Sequence, residues 1–214
     1  MTAAGASARM GAAGKKEYQE LDGAPVLARA LAPFVCSPRV SRTVVAVPPG
    51  HIDRVRALLS PHVCLATVSF VEGGDTRQES VRAALRALDP APSIVLIHDG
   101  ARPWIGAALI ERVIETTIGR GACVPVLEAS EAVKQLGADG TIERHLDRGT
   151  IGLAQTPQGF LYAGIAAAHE EARARGIVCA DDGELYALFA GTVAWVRGEP
   201  CNRKITWPHD LETS

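Results

Sequence analysis

The sequence predicts an α/β fold, a doubly wound and mostly parallel sheet with helices on both faces. Runs of β-branched residues alternate with amphipathic stretches of helical period, which is the pattern of successive strand–helix–strand units. The 214 residues are 47% hydrophobic and 21% charged, as in ordinary globular domains. We therefore expect residues 1–214 to form one domain with a substantial core.

The first half of the chain predicts two strands and two helices. Residues 43–47 are a continuous β-branched run, which is typical of a strand buried on both faces. Residues 52–59 carry their apolar side chains on one side of a helix, and residues 64–71 indicate a second strand. Residues 79–88 have apolar side chains at positions i, i+3, i+4 and i+7, so they predict the next helix.

The second half continues the alternation. Residues 93–99 form the strongest buried-strand pattern in the chain, and residues 107–117 have a helical pattern. Residues 122–126 and 192–196 predict two further strands. Ligands of such folds bind at the carboxyl ends of the strands, so we expect the site there.

One segment breaks this alternation. Residues 132–136 and 141–145 flank a Gly-Ala-Asp-Gly turn, which predicts a β-hairpin. Both of its faces are too polar for a core position. The hairpin, about 132–148, is therefore predicted to project as an arm. Such an arm either reaches a partner subunit or is simply a solvated surface hairpin, and the sequence leaves both interpretations open.

The opening segment indicates a phosphate-binding loop. Small residues and glycines over residues 3–11 let backbone N–H groups curl around a phosphate chain, and Arg9, Lys15 and Lys16 add cations. The alternative is a disordered Ala/Gly-rich leader. Only two residues precede this loop, so we expect that the start lies inside the first strand or that flanking sequence has been removed. The chain also ends without a predicted closing helix.

Composition excludes several classes of partner. The formal net charge is −2, which does not suit a general nucleic-acid or membrane-surface binder. The sequence has no apolar run of the roughly 18 residues that a membrane span needs, and no secretory signal pattern. The five cysteines are odd in number and widely spaced, which indicates a reducing cytoplasm rather than a disulfide framework or a zinc site.

Polar motifs lie beside the predicted strand ends. Asp99 and Arg102 directly follow the strongest strand, where a carboxylate can orient a hydroxyl or hold a cation and an arginine can bind phosphate. An ordinary turn is the alternative. The glycine pair at residues 73–74 could expose backbone groups to a base, although the segment would also serve as a plain helix cap. Lys204 matters only if the fold returns it to the loop near Lys16.

Together these segments resemble the 2-C-methyl-D-erythritol 4-phosphate cytidylyltransferase family. The resemblance runs from Ala3 to Leu211 and rests on motifs that occur in the family's order. These motifs are AAGxSxRMG, KKEY, GGDxRxxSV, HDGARP, DRG, TPQ and NRKIT. The resemblance implies a Rossmann-like sheet and CMP transfer from CTP to methylerythritol phosphate, with Mg²⁺ as cofactor.

The resemblance also implies roles for individual residues. Cations that stabilise the transition state match Arg9, Lys16 and Lys204. Contacts to the nucleotide match Ala3, Ala4, Gly5, Gly74, Asp75 and Ser80. Contacts to the polyol phosphate match Asp99, Arg102, Thr156 and Arg148. In the family, the last of these reaches across a homodimer to the other subunit's substrate.

Two positions depart from the family pattern. Ala132 and Ala180 stand where the family usually has threonines near the substrate, which weakens the substrate assignment more than the CTP assignment. Ribitol-5-phosphate cytidylyltransferases share the nucleotide site and are the nearest alternative. A nucleotide-binding protein without catalytic activity is the alternative from another class.

Overall fold

The computed structural model describes residues 1–5 and 15–211. The strands are β1 Glu20–Leu21, β2 Ala24–Pro25, β3 Thr43–Val47, β4 Val68–Glu72, β5 Ile94–Ile97, β6 Ala122–Glu128, β7 Lys134–Leu136, β8 Ile142–His145, β9 Gly152–Ala154, β10 Gln158–Leu161 and β11 Ala194–Arg197. The centre of the fold is a mixed sheet in the spatial order β4, β3, residues 1–3, β5, β10, β6 and β11, with β9 also paired to β6. The α-helices are α1 Val26–Val35, α2 Ile52–Leu59, α3 Arg77–Arg86, α4 Ala107–Arg120, α5 Tyr162–Arg175 and α6 Asp182–Phe189.

Residues 1–3 join the two halves of this sheet. The Thr2 N–H donates to the His98 carbonyl over 2.9 Å, and the Ala3 N–H donates to the Ala46 carbonyl over 2.8 Å. Both pairings are parallel, so β3 and β5 point the same way on either side of the opening residues. The first residues of the chain therefore lead straight from the middle of the sheet to its carboxyl edge.

The α/β prediction with a mostly parallel sheet is confirmed, with one reversal that the sequence pattern does not show. Strand β10 is antiparallel to both β5 and β6, while β6 and β11 are parallel. The strand predicted at 64–71 is shorter, since a turn precedes Val68. The helix predicted at 79–88 begins earlier, at Arg77, because Thr76 and Glu79 form a reciprocal capping box.

Three helices and four strands are absent from the prediction, namely α1, α5 and α6 and the short strands β1, β2, β9 and β10. Helices α5 and α6 lack a clean apolar period in the sequence, whereas α1 has one that the prediction missed. Packing buries their apolar side chains: Leu27 and Leu31 of α1 are fully buried in one core cluster, and Ile165 of α5 is buried in a second with Phe160 of β10.

The predicted hairpin forms as β7 and β8, paired antiparallel with an irregularity between Gln135 and Leu136. The β8 residues are exposed, and Leu136 and Ile142 expose 74% and 51% of their surface. The hairpin therefore presents apolar side chains outside the three core clusters. Within the described residues, no helix combines the length and the apolar character that crossing a bilayer requires.

A cavity of about 300 Å³ lies between β3 and β5, next to Met1 and Thr2. Apolar side chains such as Val44, Leu85 and Leu96 line it. The amino group of Met1 donates to the Val44 carbonyl over 2.6 Å beside this cavity. Burial, helped by the nearby Arg77 charge, lowers the pKa of this amino group from 8.0 to about 5.

Burial of His98 makes stability depend on pH. Burial lowers the pKa of His98 from 6.5 to about 3, so between these values the unfolded chain binds a proton that the folded chain excludes. The free energy of unfolding should therefore fall as the pH drops below 6.5, and urea unfolding at one-unit pH intervals measures it. A free energy of unfolding that stays flat between pH 6.5 and 4 would contradict the burial of this histidine.

Candidate active site

Asp99, directly after β5, is the centre of the site. One carboxylate oxygen accepts from Arg77 Nε over 3.0 Å, and the other accepts from Lys204 Nζ over 2.8 Å. Arg102 Nε lies 3.7 Å from the second oxygen. The side chain of Asp99 is only 8% exposed, so these cations act on it with little screening by water.

These cations keep Asp99 ionised. Burial alone would raise the pKa of Asp99, but Arg77, Lys204 and Arg102 outweigh it and hold the pKa well below 3.8. The sheet edge thus presents a permanent carboxylate. The side chain of its partner Lys204 is about one-third exposed.

The fold brings the segment around Lys204 back to the sheet from far along the chain. The Ile205 N–H donates to the Ala101 carbonyl over 2.8 Å, and the Asn202 side-chain amide donates to the Thr156 carbonyl over 2.8 Å. Arg102 Nη1 donates to the Asn202 carbonyl over the same distance. Three loops are therefore locked together beneath the Lys204 ammonium.

The residues after β5 are held by a second, neutral set of bonds. The Asp99 N–H donates to Thr156 Oγ1 over 3.1 Å, and Thr156 Oγ1 lies 2.9 Å from His98 Nδ1. His98 Nε2 faces the Arg102 carbonyl at 3.4 Å, so its proton lies on Nε2 and the Thr156 hydroxyl donates to Nδ1. The Thr156 hydroxyl thus donates its hydrogen bond to His98, within the protein.

Removing that hydroxyl should be costly. Thr156→Val keeps the shape but leaves the Asp99 N–H and His98 Nδ1 without this partner, so we expect a loss of about 1–3 kcal/mol of stability. Urea unfolding measures the loss. Thr150→Val, a change to a threonine exposed beside the arm, is the control and should stay within about 0.5 kcal/mol of the parent chain. Equal stability of the Thr156 variant and the parent would contradict this assignment.

The residues expected to bind nucleotide also come together. A Cβ on Gly73 would lie 2.5 Å from the Cβ of Ala4, so only glycine lets this loop approach the opening segment. Ser80 is buried beneath the loop, and its hydroxyl donates to the Thr76 carbonyl over 2.9 Å. Lys15 Nζ donates to the carbonyls of Ala4 and Gly5 over 2.9 and 2.7 Å.

The other predicted site residues are placed as follows. Arg9 lies outside the described residues. Lys16 is buried in the 3-10 helix Lys16–Tyr18, while Asp75 is exposed in the glycine loop. Arg148 is exposed beside the arm, and its guanidinium donates to the Ser130 carbonyl over 2.8 Å. Gly74 and Gly5 lie in the two loops described above, and Ala3 is buried next to them. Their roles stay predictions.

Sequence reasoning missed Arg77, Asp182 and His98. Arg77 lies inside the GGDxRxxSV motif, so the motif held a signal, but only the fold shows that its guanidinium reaches Asp99. Asp182 is separated from Arg77 by 105 residues, and their 2.7 Å bond could not be read from spacing. His98 begins the HDGARP motif and is fully buried.

A magnesium site made of protein groups alone is not present in the part of the chain that the structure describes. No group of three or more His, Cys, Asp or Glu side chains is arranged there to hold a metal ion. Both oxygens of Asp99 are already bonded to cationic side chains. Nucleotide enzymes usually bind Mg²⁺ through one or two carboxylates and the substrate phosphates.

Comparisons with known proteins point to one family. The family model of IspD, 2-C-methyl-D-erythritol 4-phosphate cytidylyltransferase, matches residues 1–214. The cytidylyltransferase of that name from Acidobacterium capsulatum is 39% identical over 221 residues, covering 99% of this chain and 92% of the relative. The "Bifunctional enzyme IspD/IspF" of Bradyrhizobium sp. (strain ORS 278) is 40% identical over 213 residues. The chain spans about half of the length of that relative, 53%.

Solved structures show the same fold. The cytidylyltransferase of Thermus thermophilus has a TM-score of 0.78 and 34% identity, covering 92% of this chain and 90% of that one. The 4-diphosphocytidyl-2C-methyl-D-erythritol synthase of Anaerococcus prevotii has a TM-score of 0.87 and 27% identity, covering 99% and 90%. The chain belongs to the 2-C-methyl-D-erythritol 4-phosphate cytidylyltransferase family.

Proposed function

We propose that this chain is one nucleotidyltransferase domain that transfers CMP from CTP to 2-C-methyl-D-erythritol 4-phosphate. The products are 4-diphosphocytidyl-2-C-methyl-D-erythritol and pyrophosphate. The observation that carries the proposal is the bond between Lys204 and Asp99 at the carboxyl edge of the sheet. Residues 2–5, which begin the expected triphosphate loop, leave the sheet at the same edge.

The reaction requires two anions to approach one another. An oxygen of the substrate phosphate attacks the α-phosphorus of CTP in line with the departing pyrophosphate, and it needs no general base because it is already ionised. The protein's task is therefore to place fixed cations around the developing charge. In this proposal the cations are Lys204, Lys16 and Arg9, with Lys204 held in position by Asp99.

Mg²⁺ is proposed as a companion of the nucleotide. The Asp99 carboxylate is engaged by Arg77 and Lys204, so most ligands of the ion would come from the triphosphate oxygens. Bound there, the ion neutralises part of the triphosphate charge. Lys204, Lys16 and Arg9 then act on the charge that the ion leaves uncompensated.

Recognition of the second substrate is proposed to involve a homodimer. Arg148 is exposed at the base of the arm, where it could reach the site of another subunit. The apolar side chains of Leu136 and Ile142 on the arm are exposed in the single chain. Contact with a second copy would bury them and yield a favourable hydrophobic contribution. Analytical ultracentrifugation tests this, and a monomer at micromolar concentration would contradict it.

A reducing cytoplasm is proposed as the location. All five cysteines of the chain lie among the described residues, and each is a free thiol. Three of them are exposed, a state that oxidising compartments disfavour.

The activity is tested by measuring pyrophosphate release. The purified chain is mixed with CTP, Mg²⁺ and 2-C-methyl-D-erythritol 4-phosphate, and release above the background without the polyol phosphate is expected. Ribitol 5-phosphate replaces the polyol in a parallel reaction, and faster turnover of that substrate would favour the related transferase. CTP binding by calorimetry without any pyrophosphate release would support a binding protein and contradict the enzyme assignment.

A further inference from the structure

A series of hydrogen bonds between charged side chains leads from the protein interior to Lys204. His169 Nε2, on α5, donates to one oxygen of Asp182 over 3.1 Å, and Arg77 Nη1 donates to the other over 2.7 Å. The same guanidinium donates through Nε to Asp99 over 3.0 Å, and Asp99 accepts from Lys204 over 2.8 Å. Arg77 therefore joins the carboxylates of Asp99 and Asp182 in this series of bonds.

The two innermost residues of this series, Asp182 and His169, are almost completely buried. The side chains of Asp182 and His169 are 2% and 0% exposed. An unpaired charge at such depth is strongly unfavourable, so Arg77 and Asp182 must be bonded to keep both ions there. Arginine suits this position because its planar fork can bond two carboxylates at once, which a lysine ammonium on a flexible stem does less well.

The geometry divides the oxygens of Asp99 between two partners. Arg77 takes one oxygen and leaves the other to Lys204, so the rotation of the Asp99 carboxylate is fixed by the Arg77 guanidinium. Asp182 in turn holds the guanidinium from the opposite side. The Lys204 ammonium is therefore held in place by a series of three bonds that begins at Asp182, a residue outside the predicted substrate contacts.

We propose that Arg77 and Asp182 are positioning residues for the transferase reaction, which hold Asp99 in the orientation that places the Lys204 ammonium at the reacting phosphate. The proposal rests on the proposed function of Lys204. Neither residue needs to touch substrate for this role. Their effect should appear in the catalytic rate and in the ionisation of Asp99 rather than in CTP affinity.

The kinetic test uses Arg77→Met, which removes the fork and keeps much of the side-chain volume. We expect kcat to fall about ten- to hundredfold, the loss typical of a misplaced catalytic group, while the KM for CTP changes less than about threefold. The acid limb of the kcat profile should move to higher pH, because Asp99 loses one of the cations that hold its pKa low. A folded variant with an unmoved acid limb or normal kcat would overturn the proposal.

The charges around Asp99 must be considered together in this pH profile. Besides Arg77, the groups facing Asp99 are Lys204, Arg102, the neutral His98 and the amino group of Met1. All four remain in the variant. Arg86→Met is the matched control, because Arg86 lies on the same helix α3 and bonds Glu170 on α5 over 2.9 and 3.1 Å at the exposed surface. It should leave both kcat and the acid limb unchanged.

Two milder variants keep the test decisive if Arg77→Met does not fold. Arg77→Lys keeps the charge but loses the fork, so kcat should recover only in part while the acid limb returns toward its original pH. Asp182→Asn places an amide against partners that both donate hydrogen bonds, so one bond is lost and kcat should fall about tenfold. Normal kcat in both folded variants would overturn the proposal.

A measurement without substrate separates this proposal from the proposed function. NMR of the Asp99 side-chain carboxyl carbon reports its ionisation in the free protein. Asp99 should stay ionised throughout the folded pH range of the parent chain and begin to titrate at the acid end of that range in Arg77→Met. If the parent chain showed no turnover, the proposed function would fail while this titration still decided whether Arg77 controls Asp99. An identical titration in both proteins would overturn that control.

Discussion

Replacing Asp99 with asparagine is expected to destabilise the protein by about 3–5 kcal/mol and to abolish most of its activity. The change removes a buried carboxylate that bonds Arg77 and Lys204 and lies near Arg102. Three cations would then face a neutral amide, and removing one partner of a buried ion pair costs this much because the remaining charge is left uncompensated.

Urea unfolding and pyrophosphate release measure the two parts of this prediction. Asp53→Asn on the exposed side of α2 removes the same charge outside the site, so its free energy of unfolding should change by less than about 0.5 kcal/mol. If Asp99→Asn unfolded at the same urea concentration as Asp53→Asn, the Asp99 carboxylate would not be stabilising the surrounding cations, and the prediction would be wrong.

Replacing Lys204 with methionine should lower kcat about a hundredfold with little loss of stability. Methionine keeps most of the apolar stem of lysine and removes the ammonium that our proposal places at the reacting phosphate. A fixed charge that stabilises the transition state contributes about 3 kcal/mol, which corresponds to roughly this factor. Asp99 keeps Arg77 and Arg102 as partners, so its charge remains compensated.

The neighbouring Arg203 provides the control for this variant. Its guanidinium lies 4.2 Å from the centre of the Trp104 ring and is not among the contacts of Asp99. Arg203→Met should therefore keep a kcat within about twofold of the parent chain. Equal kcat values for Lys204→Met and the parent chain would remove Lys204 from the mechanism.

The sequence predicted the elements whose signals are local. Strand β3 and helix α2 have the predicted bounds, and Asp99 lies at a strand end as expected. The amphipathic patterns of α3 and α4 also gave correct helices, with ends displaced by capping residues. Local composition was sufficient in these cases because each element buries one continuous apolar run or stripe.

Other features depend on contacts between distant segments. Strand β10 is recognised only by its pairing between β5 and β6, and the antiparallel direction has no signature in its four residues. The bonds from Arg77 to Asp182 and from Lys204 to Asp99 each join residues 105 positions apart. The resemblance pointed to Lys204 and Asp99 separately, but only the fold shows that they share a bond and that Arg77 supports it.

The central claim is that the Lys204 ammonium, held by Asp99, meets the phosphate at which CMP is transferred. A crystal structure with Mg²⁺, the polyol phosphate and a CTP analogue carrying a non-cleavable α,β-bridge tests this most directly. Our account predicts the triphosphate over residues 3–5, with an α-phosphate oxygen about 3 Å from Lys204 Nζ. A nucleotide bound elsewhere, with Lys204 still paired only to Asp99, would contradict it.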